Sequence, residues 1–252
     1  MSGGRVHVFG VPLDPRNLSE TIEEIDTAVR SGRPLRHASL NAAKVVAAQH
    51  DRELREALSR FELVTADGQA VVWAARLLGH EVPERVAGID LMERLLARAA
   101  ANGFGVYLLG AQRDVLERAE AELRRRYPGL QIAGARDGYF GADEEDAVVA
   151  EIRASGAALL FVALGTPEKE LFLARRREEL GVAFAMGVGG AFDVLAGLRR
   201  RAPEPLQRLG LEWAFRLAQE PRRLARRYAV GNGRFLVLVA RELARSRRPR
   251  TT

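Results

Sequence analysis

One unit recurs along this chain: an apolar stretch runs into a turn rich in glycine, asparagine or aspartate, and a helical pattern follows. "RHASLNAAKVVAAQ" turns near Asn41, and "FELVTADGQAVVWAARLLG" turns at Asp67-Gly68. "FGVYLLGAQRDVLERAEAELRRRYPG" turns at Gly110, and its long amphipathic helix stops at Pro128-Gly129. "AALLFVALGTPEKELFLARRREELG" turns at Gly165-Thr166-Pro167, and "VAFAMGVGGAFDVLAG" turns between Gly187 and Gly190. "LQIAGARDGYF" adds a strand before the acidic helix start "GADEEDAVVAEIRASG". Strands that alternate with helices form a parallel sheet with helices on its faces. Near-continuous apolar strands are what a sheet covered on both sides requires. The expected class is therefore α/β. The N-terminal "VFGVPLDPRNLSETIEEIDTAVRSGRP" supplies a further strand and a helix, with Ser19 expected as its N-cap.

In such sheets ligands sit at the carboxyl ends of the strands, against helix N-termini. The strand-to-helix turns are thus the candidate site, and each has a plain structural alternative. Asp67 can take a proton from a hydroxyl in the crevice, or can simply cap the helix that follows Gly68. Ser39 and Asn41 can contact a ligand or form an ordinary turn. Gly187, Gly189 and Gly190, with Asp193 beyond them, suit a phosphate at a helix N-terminus or a tight turn that needs small residues. Pro167 suits the first helical position, and Glu168 and Glu170 suit the first turn by charge alone. Arg85, in the loop "PERVAGIDL", can grip a diphosphate or be a solvated surface charge.

The four histidines show no metal-ligand spacing, no D-x-D carboxylate pair occurs, and neither G-x-S-x-G nor a Walker A motif is present. The absence of cysteine excludes disulfides, thiolate metal sites and cysteine nucleophiles. "MSGGRVHVFGVPLDP" has no unbroken apolar core of a secretory signal. The longest late apolar run, "FLVLVA" at 235–240, is far short of the roughly 18 residues of a membrane span.

Charge divides the chain in two. From Arg199 onward there are 15 arginines, no lysine and four glutamates, an excess of +11 that leaves the first 198 residues at −5 within the net +6. The division sets a body at 1–198 against a basic helical tail at 199–252. In "EWAFRLAQEPRRLARRY", Trp213, Leu217, Leu224 and Tyr228 share a narrow helical face, and Arg216, Arg223, Arg226 and Arg227 lie beside it. Pro221 splits or kinks this helix. An apolar face with a basic flank fits an anionic membrane surface, and "GRFLVLVARELARSRRPR" would extend that contact. The alternatives are a terminal helix packed on the body, and nucleic-acid binding, for which no RNA or DNA module is recognisable.

These pieces, in order, resemble the WecG/TagA/CpsF glycosyltransferases, glycosyltransferase family 26. The match is carried by "SLNAAKVV", "ADGQAVVWAARLLG", "RVAGIDL", "YLLGAQ", "YPGLQIAGARDGYF", "GTPEKE", "GVGGAFDVLAGLRRRAP" and "GLEWAFRLAQEPRRLARRY", and spans roughly Val6 to Phe235. The resemblance implies a Rossmann-like sheet and an inverting transferase that needs no metal and no cofactor. It would move a sugar from a UDP-sugar to a polyprenyl-diphosphate-linked sugar, at the cytoplasmic face of the bacterial plasma membrane. N-acetylmannosamine, its uronic acid and glucose are the donor sugars it implies; no nucleic-acid partner is expected, and self-association is left open.

By position, the resemblance makes Asp67 the general base, with Ser39 and Arg85 as catalytic partners. Asn41, Gly68, Gly110, Gly165, Lys169, Glu170, Gly187, Gly189, Gly190 and Asp193 become substrate-binding residues. Arg216, Arg223 and Arg226 become contacts to the acceptor diphosphate or the membrane. One departure stands out, since Lys169 replaces the family's glutamine and cannot accept a hydrogen bond. A nucleotide-sugar-binding protein impaired in catalysis is the corresponding alternative.

Overall fold

Strands apolar on both sides must hide both faces, and the chain does so by winding helices onto each. The structure, a computed structural model, describes residues 4–208 and 210–246. A hairpin of β1 (Val6–Val8) and β2 (Val11–Leu13) leads into α1 (Leu18–Ser31). Then come β3 (Leu35–Leu40), α2 (Ala42–His50), α3 (Arg52–Ser59), β4 (Leu63–Ala66), α4 (Gln69–Leu77) and α5 (Gly88–Asn102). The second half adds β5 (Gly105–Gly110), α6 (Arg113–Arg126), β6 (Gln131–Arg136), α7 (Glu145–Ala154) and β7 (Leu159–Ala163). It continues with α8 (Glu168–Arg175), β8 (Phe184–Gly187) and the short α9 (Ala191–Leu195). The tail forms α10 (Glu204–Arg208), α11 (Glu212–Gln219) and α12 (Pro221–Ser246).

Six strands make one parallel sheet in the order β4-β3-β8-β7-β5-β6. This is the α/β, Rossmann-like arrangement expected. Period-two alternation feeds two cores. Ala38, Leu40, Val64, Leu109, Leu160 and Val162 join α2, α3, α4, α7 and α8 on one face. Leu35, Leu63, Leu108, Phe161, Phe184 and Met186 join α1, α5, α6 and α9 on the other. All the strand-to-helix turns therefore gather along one edge of the sandwich.

The hairpin closes one lateral edge of the sheet. Asp14, just after β2, donates its N–H to the Val64 carbonyl (2.7 Å) and accepts the Val64 N–H at its carboxylate (2.7 Å). Arg5 holds that carboxylate (2.7 Å) and reaches the Glu62 carbonyl (2.7 Å), while the Val86 N–H takes the Ala66 carbonyl (2.8 Å).

Two caps differ from expectation. The N-cap of α1 is Asn17 rather than Ser19: its side chain accepts the Glu20 N–H (2.8 Å), and Glu20 returns a bond to the Asn17 N–H (2.9 Å). That reciprocal pair satisfies two helix-end donors, which a serine two residues later cannot do. Pro167 is the cap residue before α8, one position earlier than expected, and follows a cis peptide bond.

Pro221 divides the tail into α11 and α12, as a proline at a helix start permits. α12 lies on α2. Phe235 and Val239, one turn apart, are buried, and the Phe235 ring meets Phe9 edge-on at 5.5 Å. Part of the stretch expected at a membrane thus faces the body, whereas Val230, Leu236 and Val237 remain exposed. Phe235→Ala removes the ring that pins α12 and is expected to lower stability by about 3 kcal/mol, measured by urea unfolding of the whole chain.

Candidate functional site

The β4–α4 turn sets the centre of the site. The Asp67 N–H donates to the Leu40 carbonyl (2.9 Å), which ties the ends of β3 and β4 together. Gly68 is the N-cap of α4 and no side chain caps that helix, so Asp67 does not serve as its cap. The Asp67 carboxylate instead turns across to the next helix and accepts the Gly88 N–H, at the first turn of α5 (3.3 Å). Ser39, at the end of β3, points at the same place. A Cβ added to Gly88 would stand 3.0 Å from Ser39 Oγ and 3.8 Å from Asp67 Oδ2. Gly88 is therefore the opening through which hydroxyl, carboxylate and helix N-terminus meet.

Burial pushes the Asp67 carboxyl above the ordinary aspartate range. Arg85 opposes that rise, Glu212 adds to it, and Arg216 and the Gly88 N–H oppose it again. Loss of water around a carboxylate favours its neutral form, so this group is a stronger base than a solvated aspartate.

Arg85 is not a solvated surface charge. Its Nη1 donates to Glu212 of α11 (2.9 Å), with both side chains largely buried. Glu212 also accepts from Arg216 (3.1 Å), one turn further on. The start of α11 thus lies beside the Asp67 turn. Gly210 reinforces this: its φ is +70°, and a Cβ there would meet Gln69 Cγ at 2.7 Å, so the α10–α11 connection rests on the first turn of α4. Of the three tail arginines singled out, Arg216 is placed near Asp67; the side chains of Arg223 and Arg226 lie outside the described residues, as do those of Leu224, Arg227 and Tyr228.

A second, deeper charge cluster lies under the ends of β3 and β8. Lys44 of α2 reaches Glu170 of α8 (2.8 Å), and Lys169 reaches the same oxygen (3.2 Å). All three are buried. Lys44 also donates to the Ser39 carbonyl, linking this cluster to the turn above. Lys169 donates to the Gly165 carbonyl (3.2 Å) and to the Thr166 hydroxyl, so its ammonium is engaged inside the protein. Burial lowers its pKa, Glu170 raises it, and Lys44 lowers it again. Gly187 is required here for space, since a Cβ would strike Lys169 Cδ at 2.7 Å. Asn41 uses its side-chain oxygen as the N-cap of α2, accepting the Lys44 N–H (3.0 Å), which is the turn-forming role.

The remaining expected residues spread along the same edge. Gly110 has a φ of +107°, and a Cβ there would overlap the Ala163 carbonyl at 2.8 Å, so it lets β5 and β7 end side by side. Gly165 packs on Glu168, Gly189 takes a φ of +51°, and Gly190 is the N-cap of α9. Asp193 is paired with Arg199 (3.5 Å), which also reaches Glu220 at the end of α11 (3.1 Å). Among the described residues, no three His, Asp or Glu side chains gather as a metal site would need.

Three contributors were not legible from the turns alone: Gly88, Lys44 and Glu212. Lys44 did carry a signal, because Lys44 and Lys169 are the only lysines among 39 basic residues and both close on Glu170. Glu212 carried a weaker one, as an acid four residues before Arg216 in a basic tail.

Compared with known families, the chain matches the model described as the Glycosyl transferase WecG/TagA/CpsF family over residues 6–249.

Glu170→Gln would remove the carboxylate with which two buried ammonium groups pair. It is expected to cost about 3 kcal/mol or more, seen as a lower urea midpoint at an unchanged slope. His37 gives a pH signature beside this cluster. Its Nε2 lies 2.8 Å from the Thr65 hydroxyl, and burial, with Lys44 nearby, pushes its pKa down from 6.5 to about 3. Between those values the unfolded chain binds the extra proton, so the contribution is whole above the unfolded pKa and is lost as pH falls. The slope is about 1.4 kcal/mol per pH unit. His37→Asn is expected to flatten it in unfolding titrations between about pH 6 and about pH 4.

Proposed function

The chain belongs to the glycosyl transferase WecG/TagA/CpsF family, glycosyltransferases of cell-surface polysaccharide synthesis, and from that premise we propose that it moves a sugar from a UDP-sugar to a sugar carried on polyprenyl diphosphate, with inversion and without a metal ion. N-acetylmannosamine is the donor sugar favoured. The observation that carries the reading is the Asp67 carboxyl, raised in basicity by burial and set beside Ser39 and Arg85 at the strand ends.

In this reading Asp67 takes the proton of the acceptor hydroxyl as its oxygen attacks the anomeric carbon from the face opposite the diphosphate. The bond from that carbon to the diphosphate oxygen breaks, and UDP leaves with the electron pair. One carboxylate suffices for a single displacement. Arg85 stabilises the charge that grows on the departing diphosphate, the part a metal plays elsewhere. Ser39 orients the reacting hydroxyl, and the Gly187–Gly190 turn with Asp193 lies on the donor side. The tail arginines meet the acceptor's diphosphate.

Peripheral docking on the cytoplasmic face of the plasma membrane is supported by the exposed Leu211, Trp213, Val230, Leu236 and Val237 together with the arginine excess of the tail. No helix among the described residues is long and apolar enough to cross a membrane. A catalytically impaired nucleotide-sugar-binding protein is the second reading, favoured by the inward engagement of Lys169.

UDP release is to be followed with a panel of UDP-sugars and a polyprenyl-diphosphate N-acetylglucosamine acceptor, in EDTA. Asp67→Asn is expected to lower kcat by about a hundredfold or more. For the wild type, kcat/KM should fall as pH drops through the Asp67 pKa, on a limb above that of an ordinary aspartate. UDP-sugar binding without release from any pair supports the second reading, and Lys169→Gln then tests whether the lysine is the cause.

A further inference from the structure

Glu212 sits in a position the reaction proposed above does not use. It comes from the tail, 127 residues along the chain from Arg85, yet it meets that arginine at 2.9 Å with both side chains largely buried. The same carboxylate holds Arg216 at 3.1 Å. Nη1 of Arg85 makes this bond, and among the described residues it is the only side-chain hydrogen bond that Arg85 makes. A guanidinium carries five donors in a rigid fork. Fixing one of its nitrogens orients the plane and leaves the other donors for an anion.

We propose that Glu212 is a positioning residue: its carboxylate bridges Arg85 and Arg216, aims the Arg85 guanidinium over the Asp67 turn, and ties the start of the basic tail to the catalytic centre. This role rests on the transferase reading, and adds to it that the tail contributes an acid as well as its arginines. The bridge joins the loop before α5 to α11, and all three of its charges act on the Asp67 carboxyl after β4. Loss of the charge at 212 would leave Arg85 without its fixed partner and free to turn onto the Asp67 carboxylate, so that removal of the acid and approach of the cation both favour the ionised form of Asp67.

The charged groups around Asp67 give the bridge a readout that packing alone would not move. Arg85 faces it from the loop, Glu212 and Arg216 face it from α11, and the Gly88 N–H faces it from α5. Arg201, paired with Asp90 of α5 (2.6 Å), acts on Glu212 in turn. Glu212 favours the protonated form of Asp67, and Arg216 favours the ionised form. Replacing the two should shift the Asp67 titration in opposite directions.

The test follows the Asp67 carboxyl by carbon-13 NMR across pH in the full chain, for the wild type, Glu212→Gln, Glu212→Asp and Arg216→Gln, with UDP release measured in parallel. Glu212→Gln should lower the Asp67 pKa, move the acid limb of kcat/KM to lower pH, and reduce kcat about tenfold with a smaller change in donor KM. Glu212→Asp keeps the charge and should keep the wild-type limb, and Arg216→Gln should move the Asp67 pKa up. A folded Glu212→Gln protein with the wild-type Asp67 titration and wild-type kcat overturns the proposal. If Glu212→Gln does not fold, an unmoved Asp67 titration in Arg216→Gln overturns it instead. The NMR arm needs no substrate, so absence of UDP release from the wild type would count against the transferase reading while the titrations still decide the bridge.

Discussion

A parallel sheet buried on both faces has little room for an unpaired polar side chain along its strands. Carboxylates, hydroxyls and arginines can be put to work only where the strands end, and there the backbone itself changes sign: each helix that follows offers unpaired N–H groups. Asp67 shows the effect. Its carboxylate passes over the helix it precedes and settles on the N–H of Gly88, at the start of a different one. The glycine at 88 is what keeps Ser39 Oγ and Asp67 within reach of the same point. The chemistry available at the site is thus a consequence of two dry cores with one wet seam.

Two charge clusters occupy that seam at different depths, built on the same plan of one carboxylate between two cations. Lys44, Glu170 and Lys169 lie fully inside, where each ammonium stays compact and is held by Glu170 and by carbonyl oxygens of the strand-to-helix turns. Arg85, Glu212 and Arg216 lie at the rim, where planar guanidinium groups keep donors to spare. Lysine suits the inner place because a point charge fits among carbonyls, and arginine suits the outer because its fork can serve two partners. The inner cluster fixes the backbone of the β7–α8 turn from beneath. The outer one connects the tail to the body.

The sheet was legible because its signal is periodic and local. "FELVTADGQAVVWAARLLG" alone shows the strand, the turn and the helix, and the same grammar repeats to Leu195. The position of Asp67 at a strand end was equally legible, but its partner was not: nothing near Asp67 in sequence points to Gly88, because the contact is made where the Val86 N–H bonds the Ala66 carbonyl and brings the start of α5 alongside. Glu212 was hidden for the same reason across a longer separation. Pattern also misplaced the α1 cap, since Ser19 and Asn17 are both good capping types and only the reciprocal bond with Glu20 separates them. The two faces of α12 were inseparable in sequence, because Phe235 and Leu236 have similar hydropathy and only the packing of α12 on α2 and Phe9 turns one of them inward.

The hairpin at the start of the chain bears on how copies of this molecule can meet. Along β4 the outward carbonyls of Glu62, Val64 and Ala66 and the N–H of Val64 are all taken, by Arg5, Asp14 and Val86. The Asp14 carboxylate stands where the carbonyl of a further strand would come. A foreign strand approaching that border finds no ladder to continue, so the sheet cannot be lengthened on the side that carries Asp67. Any pairing of copies through this region must be made by side chains, and it leaves the mouth of the site unroofed by a neighbour's backbone.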